Sequence, residues 1–245
     1  MDRRRISRIA HSDHPVAAPL DDASVRGLLD RALRRGDERV LDLGCGEGAW
    51  LLRALAGHPE VTAEGVDTDA AALAKAARTA ADLDVAGRLV LHEQDARRHT
   101  SASPFDLVLS VGATHAFGGL SATLSAVREH LAPSGHVLVG DGFWEQEPAP
   151  ALVEMLGDFD DLATTVDRVV ADGWTPVHGH ISTRQELDAY EWSWTGSLAA
   201  WALDHPTDPD SGQALDAAAR HRTEWLHGYR GTFGFVTLLL RRTTA

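Results

Sequence analysis

Val40-Leu41-Asp42-Leu43-Gly44-Cys45-Gly46-Glu47-Gly48 is an apolar strand that meets a carboxylate and runs into a loop with glycine at every second position. Glycine has no Cβ and tolerates positive φ, so such a loop turns tightly and lets the backbone approach a ligand. The helix that follows aims its free N–H groups at the same place. The stretch predicts a small-molecule cradle at the carboxyl end of a first strand, 39–43. The carboxylate of Asp42 predicts that the occupant carries positive charge.

Working outward, strands and helices alternate at close spacing. A helix is expected over 21–35, where Val25, Leu28, Leu29, Ala32 and Leu33 recur at helical spacing. After the first strand come a helix at 47–56, a strand at 61–67, an alanine-rich helix at 69–82 and a strand at 88–93. A fourth strand covers 105–110, a helix 119–131, and a fifth strand 136–140. Most of these strands are apolar on both faces, which predicts a parallel sheet covered on both sides by helices. Such sheets bind ligands outside the carboxyl ends of their strands. Helices at 150–156 and 160–172 and a strand at 175–182 follow. Two further helices, 184–204 and 211–228, precede a last strand at 233–241. The fold class is thus α/β, doubly wound and mostly parallel, with an antiparallel last strand. One domain over 1–245 is expected, with an N-terminal helical extension at 1–37, a ligand-binding core at 38–141 and a helical cap inserted at 183–231.

The chain has 245 residues, a formal net charge of −13, 44% hydrophobic and 24% charged residues, and one cysteine. That charge disfavours a nucleic-acid partner, which needs a basic surface to displace counterions. The run Met1-Asp2-Arg3-Arg4-Arg5-Ile6-Ser7-Arg8 reads as a solvated, partly disordered terminus. A single cysteine forbids an intrachain disulfide and suits a reducing compartment. No apolar stretch approaches the roughly 18 residues needed to span a bilayer. The expectation is a cytoplasmic monomer or homodimer with a small-molecule substrate and no membrane partner.

Gly44-Cys45-Gly46-Glu47-Gly48-Ala49 also fits the nicotinamide-dinucleotide pattern G-x-G-x-x-A. Asp67, ending the second strand, would suit the ribose of that dinucleotide or of a cationic nucleoside cofactor. Asp42 separates the two. Beside a pyrophosphate it repels; beside an ammonium and a sulfonium it attracts. At about 4 Å and an effective dielectric near 20 either effect is about 4 kcal/mol before desolvation.

With these residues in place the chain resembles the class I S-adenosylmethionine-dependent methyltransferases, a Rossmann-like family. Residues 40–48 resemble its first motif, Gly65-Val66-Asp67 the acidic end of its second strand, and Gln94-Asp95-Ala96 its third-strand motif. Phe105-Asp106-Leu107-Val108-Leu109-Ser110 resembles its fourth strand. Leu131-Ala132-Pro133-Ser134-Gly135-His136-Val137-Leu138-Val139 resembles its L-x-P-G-G lead-in to the fifth, with Ser134 in place of the first glycine. The resemblance covers about 38–141. It implies S-adenosyl-L-methionine as cofactor, S-adenosyl-L-homocysteine as product, and cofactor contacts from Asp42, Gly44, Cys45, Gly46, Asp67, Thr68, Asp95, Ala96 and Ser110. The segments His11-Ser12-Asp13-His14-Pro15, 112–119 and 140–145 look like a bacterial small-molecule subgroup. A non-catalytic binder, and an enzyme using the cofactor for other chemistry, share every one of these motifs.

His115 follows the fourth strand between glycines and is the candidate general base; a neutral imidazole there could take a proton from an attacking oxygen or nitrogen. His14, Trp144, Tyr190 and Trp194 are the candidate acceptor-binding residues, because aromatic walls suit planar or cationic substrates. Cys45 reads as a small filler, not a nucleophile. Glu191, Arg222 and Arg230 read as an ion-pairing group. His178-Gly179-His180 offers too few ligands for a metal, and no metal site is expected.

Overall fold

The computed structural model describes residues 1–14 and 16–243; Pro15 of the N-terminal His-Ser-Asp-His-Pro segment lies outside the described residues. The central strands are β1 (Arg39–Leu43), β2 (Thr62–Asp67), β3 (Leu89–Glu93), β4 (Phe105–Val111) and β5 (Leu131–Trp144). With β6 (Trp174–Ile181) and β7 (Phe233–Arg242) they form a seven-stranded sheet in the order β3-β2-β1-β4-β5-β7-β6. The pairs β1–β2, β1–β4, β2–β3 and β4–β5 are all parallel. The sheet is mostly parallel with an antiparallel end, as the alternation of elements predicts.

Burial explains why these segments are strands. Val40, Leu41, Leu43, Leu107, Val108, Leu109, Val137 and Leu138 are all fully buried, so β1, β4 and β5 present apolar side chains to both faces. Only helices on both sides can cover them. α2 (Asp22–Ala32) precedes the first strand, and α3 (Ala49–Gly57), α4 (Ala70–Asp82) and α5 (Leu120–His130) lie between the strands. Asp21 caps α2 by accepting from the Ser24 amide, and Asp69 caps α4 by accepting from the Ala71 and Ala72 amides.

The fifth strand runs longer than the expected 136–140. Pro133 and Gly135 read as stops in the sequence, yet the strand begins at Leu131, which pairs with Phe105. The register then shifts between Phe105 and Leu107. Gly135 permits this path, because a Cβ there would lie 2.7 Å from Leu131 Cδ1 and 3.0 Å from the Asp106 carbonyl oxygen.

The chain divides into two compact units. The first comprises Asp21–Asp141, Ala163–His180 and Val236–Ala245, and contains most of the sheet. The second comprises Met1–Leu20, Gly142–Leu162 and Ile181–Phe235. It holds α1 (Arg3–Ala10), α6 (Pro150–Leu156), α8 (Arg184–Asp204) and α9 (Ser211–Glu224); α7 (Leu162–Ala171) lies mostly in the first. α8 starts with a full capping box between Thr183 and Glu186. The expected helix over 211–228 ends earlier: after Glu224 the chain winds one π turn, Trp225–Tyr229.

The N-terminal arginine run corrects the sequence reading. It is not a loose tail but a helix, α1, capped by Asp2, whose side chain accepts from the Arg5 amide. Ile6 and Ile9 pack on a core of Leu198, Ala202, Ala214, Ala217 and Ala218 from α8 and α9. Arg5 pairs with Asp208 at 3.0 Å and also with Asp210, and lies 5.0 Å over the Trp201 ring. No described helix is long and apolar enough to cross a membrane.

Candidate active site

The first unit gathers the predicted cofactor residues at the carboxyl ends of β1 to β4. Asp42 is 3% exposed, and among the described residues no hydrogen-bond donor reaches its carboxylate. Burial pushes its carboxyl up to about 8, and the nearby charge of Asp67 adds to the effect. A buried carboxyl with neither donor nor cation is costly. Groups perturbed in this way cluster at functional sites.

The glycine loop is built around close approaches. Gly44 has φ +93°, and a Cβ on it would lie 2.6 Å from the Ala113 Cβ. The loop after β1 is thereby pressed against the loop after β4. Gly46 has φ +52° with nothing within 4 Å of its missing Cβ, so its face is open. Gly48, at φ +72°, caps α3. Gly65 on β2 has a packing role that the sequence pattern does not reveal: a Cβ there would lie 2.8 Å from the Cys45 Sγ. The thiol thus fills the space above Gly65. It is buried, and burial raises its pKa, so Cys45 is the filler expected and no nucleophile.

Asp67 shapes this loop. One carboxylate oxygen accepts from the Gly46 amide at 2.8 Å, and the other from the Asp69 amide at 2.8 Å. Each keeps a second lone pair for hydroxyl donors. Thr68 beside it is exposed. Asp95 caps the turn Ala96–Arg98, and its carboxylate is gripped by the Arg97 guanidinium at 2.6–3.1 Å. That grip holds the Asp95 carboxyl low, at about 2. Ser110 is fully buried and donates to the Leu43 carbonyl at 3.2 Å, so its side chain joins β4 to β1. His115 stands exposed in the turn Thr114–Ala116, two residues past Ala113.

In the second unit the predicted acceptor residues split into three groups. His11 Nδ1 lies 2.7 Å from the Ser7 carbonyl and His11 Nε2 lies 2.9 Å from Tyr190 Oη. The carbonyl can only accept, so Nδ1 carries the hydrogen and the tyrosine donates to Nε2. The His14 ring meets Tyr190 edge-on at 5.3 Å. Its Nδ1 donates to the Val16 carbonyl at 2.7 Å, which leaves Nε2 as an acceptor. Trp194 stacks on His221 at 3.9 Å. Trp144 is packed in a core cluster with Leu152, Trp225 and Tyr229, edge-on to Phe159 and Phe233. Only its Nε1–H, buried without a partner among the described residues, remains to recognise anything.

The ionic group differs from its sequence reading. Arg230 pairs with Asp188 at 2.7 Å, not with Glu191. Buried Glu191 instead accepts from Tyr229 Oη at 2.8 Å and from His221 Nε2 at 2.7 Å. Replacing Glu191 by Ala strands a buried hydroxyl and is expected to cost about 2–3 kcal/mol, measurable by urea denaturation. Spacing singles out neither His11 nor His221 as an acceptor contact, because each meets its partner across separate helices.

This geometry suits an S-adenosylmethionine cradle: a donorless buried carboxylate for a cation, an acidic group for ribose, and an open glycine face between them. Known proteins point the same way. A methyltransferase-domain model matches residues 41–137. The chain is 30% identical over 244 residues to the uncharacterized protein YjhP of Escherichia coli (strain K12), covering 91% of this chain and 90% of that one. It superposes on a methyltransferase from Geobacter sulfurreducens in complex with S-adenosyl-L-homocysteine with TM-score 0.89 and 25% identity, covering 97% and 98% of the two chains. A methyltransferase from Thiobacillus denitrificans, also with S-adenosyl-L-homocysteine, gives TM-score 0.88 and 26% identity, covering 99% and 100%. The chain belongs to the class I S-adenosylmethionine-dependent methyltransferases.

Proposed function

We propose that this methyltransferase moves the methyl group to a small-molecule acceptor by in-line displacement. The observation that carries the reading is Asp42, buried and without a donor among the described residues. We assign it the ammonium and the sulfonium side of the cofactor. Gly44, Cys45 and Gly46 line the amino-acid part with backbone, Asp67 and Thr68 take the ribose, and Asp95, Ala96 and Ser110 form the adenine side. Asp95 can serve there only by sharing or releasing Arg97. S-adenosylmethionine, when bound, supplies a methyl group on a sulfonium leaving group.

The chain's own residues then have two roles. One is alignment, which for a reaction with so good a leaving group can supply most of the acceleration. The other is proton removal when the attacking atom is an oxygen or nitrogen that must lose a proton. His115 fits this second role, since it is exposed at the end of β4, on the loop that touches Gly44. For the acceptor we assign His14 and Tyr190, Trp194, and the Nε1–H of Trp144. The net charge of −13 supports a small molecule over a nucleic acid.

The test is a mass-detected screen for S-adenosyl-L-homocysteine formation with panels of small phenols, amines, thiols and carboxylic acids. Turnover with one panel is expected; turnover only with a protein or nucleic acid would overturn the reading. With the acceptor in hand, His115→Ala is expected to lower kcat by about 100-fold and leave S-adenosylmethionine affinity unchanged. Equal losses in both would remove His115 from proton transfer.

A further inference from the structure

His99 follows the turn Ala96–Arg98 and is only 7% exposed. Its Nδ1 lies 2.6 Å from the side-chain amide of Gln94, and its Nε2 is buried with no partner among the described residues. Two imidazoles flank it: His92 at 5.0 Å and His130 at 5.5 Å between ring centroids. His130 Nδ1 is engaged by Ser101 Oγ at 2.7 Å. His92 Nε2 lies 2.9 Å from Glu64 Oε2, while Glu64 Oε1 meets Arg39 at 3.3 Å. One ligand atom each from Glu64, His92 and His99 lie within 4.8 Å of one another.

We propose that Glu64, His92 and His99 form a binding site for a divalent transition-metal ion of the zinc class. Two imidazoles and a carboxylate are a zinc or cobalt donor set, whereas magnesium and calcium prefer oxygen alone. A tetrahedral ion with bonds of about 2.0–2.1 Å holds its ligand atoms about 3.3 Å apart, so atoms now within 4.8 Å of one another draw together by up to about 1.5 Å on binding. The ion takes the place of the hydrogen between His92 and Glu64 and gives His99 Nε2 the partner it lacks. Gln94 fits the supporting role: a half-turn of its amide lets the oxygen accept from Nδ1–H, which leaves a lone pair on Nε2. Burial, and then the neighbouring His92 and His130, lowers the His99 pKa, a shift toward the neutral form that a ligand needs. Three protein ligands leave a fourth position to water or a small anion.

The ligands come from β2, from the edge strand β3 and from the turn after it, so no local motif announces them. A metal there clips the exposed end of the sheet together. The untagged full chain, stripped with chelator and titrated with Zn2+, is expected to bind one ion per chain. Co2+ is expected to give the visible bands of a tetrahedral site. Glu64→Gln and His92→Gln, both at half-buried positions, are each expected to weaken binding at least 10-fold and to abolish the rise in Tm on adding Zn2+. His178→Gln serves as the control and should bind as the parent does. Absence of stoichiometric binding, or binding that survives both Glu64→Gln and His92→Gln, would overturn the proposal.

Discussion

Asp42→Asn is expected to weaken S-adenosylmethionine binding by at least about 100-fold and, at the same time, to make the free protein more stable at pH 8. Both effects have one cause. The carboxyl is 3% exposed and is pushed up to about 8, from an ordinary value of 3.8, first by burial and then by Asp67. In the unfolded chain it ionises near pH 4; in the folded chain it keeps its proton to about pH 8. Its favourable contribution is therefore fully present below pH 4 and is lost as pH rises through about 8. Asparagine is never charged, so the variant should escape that loss, by about 2 kcal/mol or more at pH 8. It also forfeits the attraction to a cation, about 4 kcal/mol at close range and an effective dielectric near 20. Isothermal titration and urea denaturation at pH 6 and pH 8 measure the two arms. A variant that is less stable than the parent at pH 8, or that binds as tightly, would contradict this account.

Gly44→Ala is expected to cost about 2–4 kcal/mol of folding stability, against about 1 kcal/mol for Gly46→Ala. The two glycines lie in one loop and both have positive φ, yet their surroundings differ. A Cβ on Gly44 would lie 2.6 Å from the Ala113 Cβ, an atom fixed to backbone, so one loop must move. A Cβ on Gly46 meets nothing within 4 Å, so only the left-handed backbone, at φ +52°, resists it. Gly46→Ala should therefore fold, and lose cofactor affinity by about 10-fold or more because its methyl occupies the open face. Chemical denaturation ranks the two stabilities, and calorimetry reads the affinity of Gly46→Ala. Equal stabilities would show that the contact with Ala113 does not constrain the loop.

The legible parts of the molecule are those encoded locally. The strand–glycine–helix stretch carries its own turn chemistry, and the apolar runs of β1, β4 and β5 dictate a sheet covered on both faces. The grip of Arg97 on Asp95 lies within two residues and is readable in principle. α1 is not, because an eight-residue helix is marginal by itself. It is held by Ile6 and Ile9 against α8 and α9 and by Arg5 against Asp208 and Asp210, some 200 residues away. The start of β5 is hidden for a different reason: Pro133 and Gly135 are stop signals whose meaning depends on the neighbouring strand. Trp144 and Tyr190 stand out in the sequence as unusual aromatics. That Trp144 is packed among Phe159, Phe233 and Tyr229, and Tyr190 bound to His11, depends on contacts no spacing encodes.

The most direct test is the proton count on cofactor binding. Titration of the protein with S-adenosylmethionine at pH 7, in two buffers of different ionisation enthalpy, measures it. A carboxyl at about 8 in the free protein is mostly protonated at pH 7 and must ionise to meet the cation. Release of roughly half to one proton per cofactor bound is expected, and none from whatever binding Asp42→Asn retains. No net release from the parent protein, or the same release from Asp42→Asn, would contradict the claim that Asp42 is the group that receives the cofactor's positive charge.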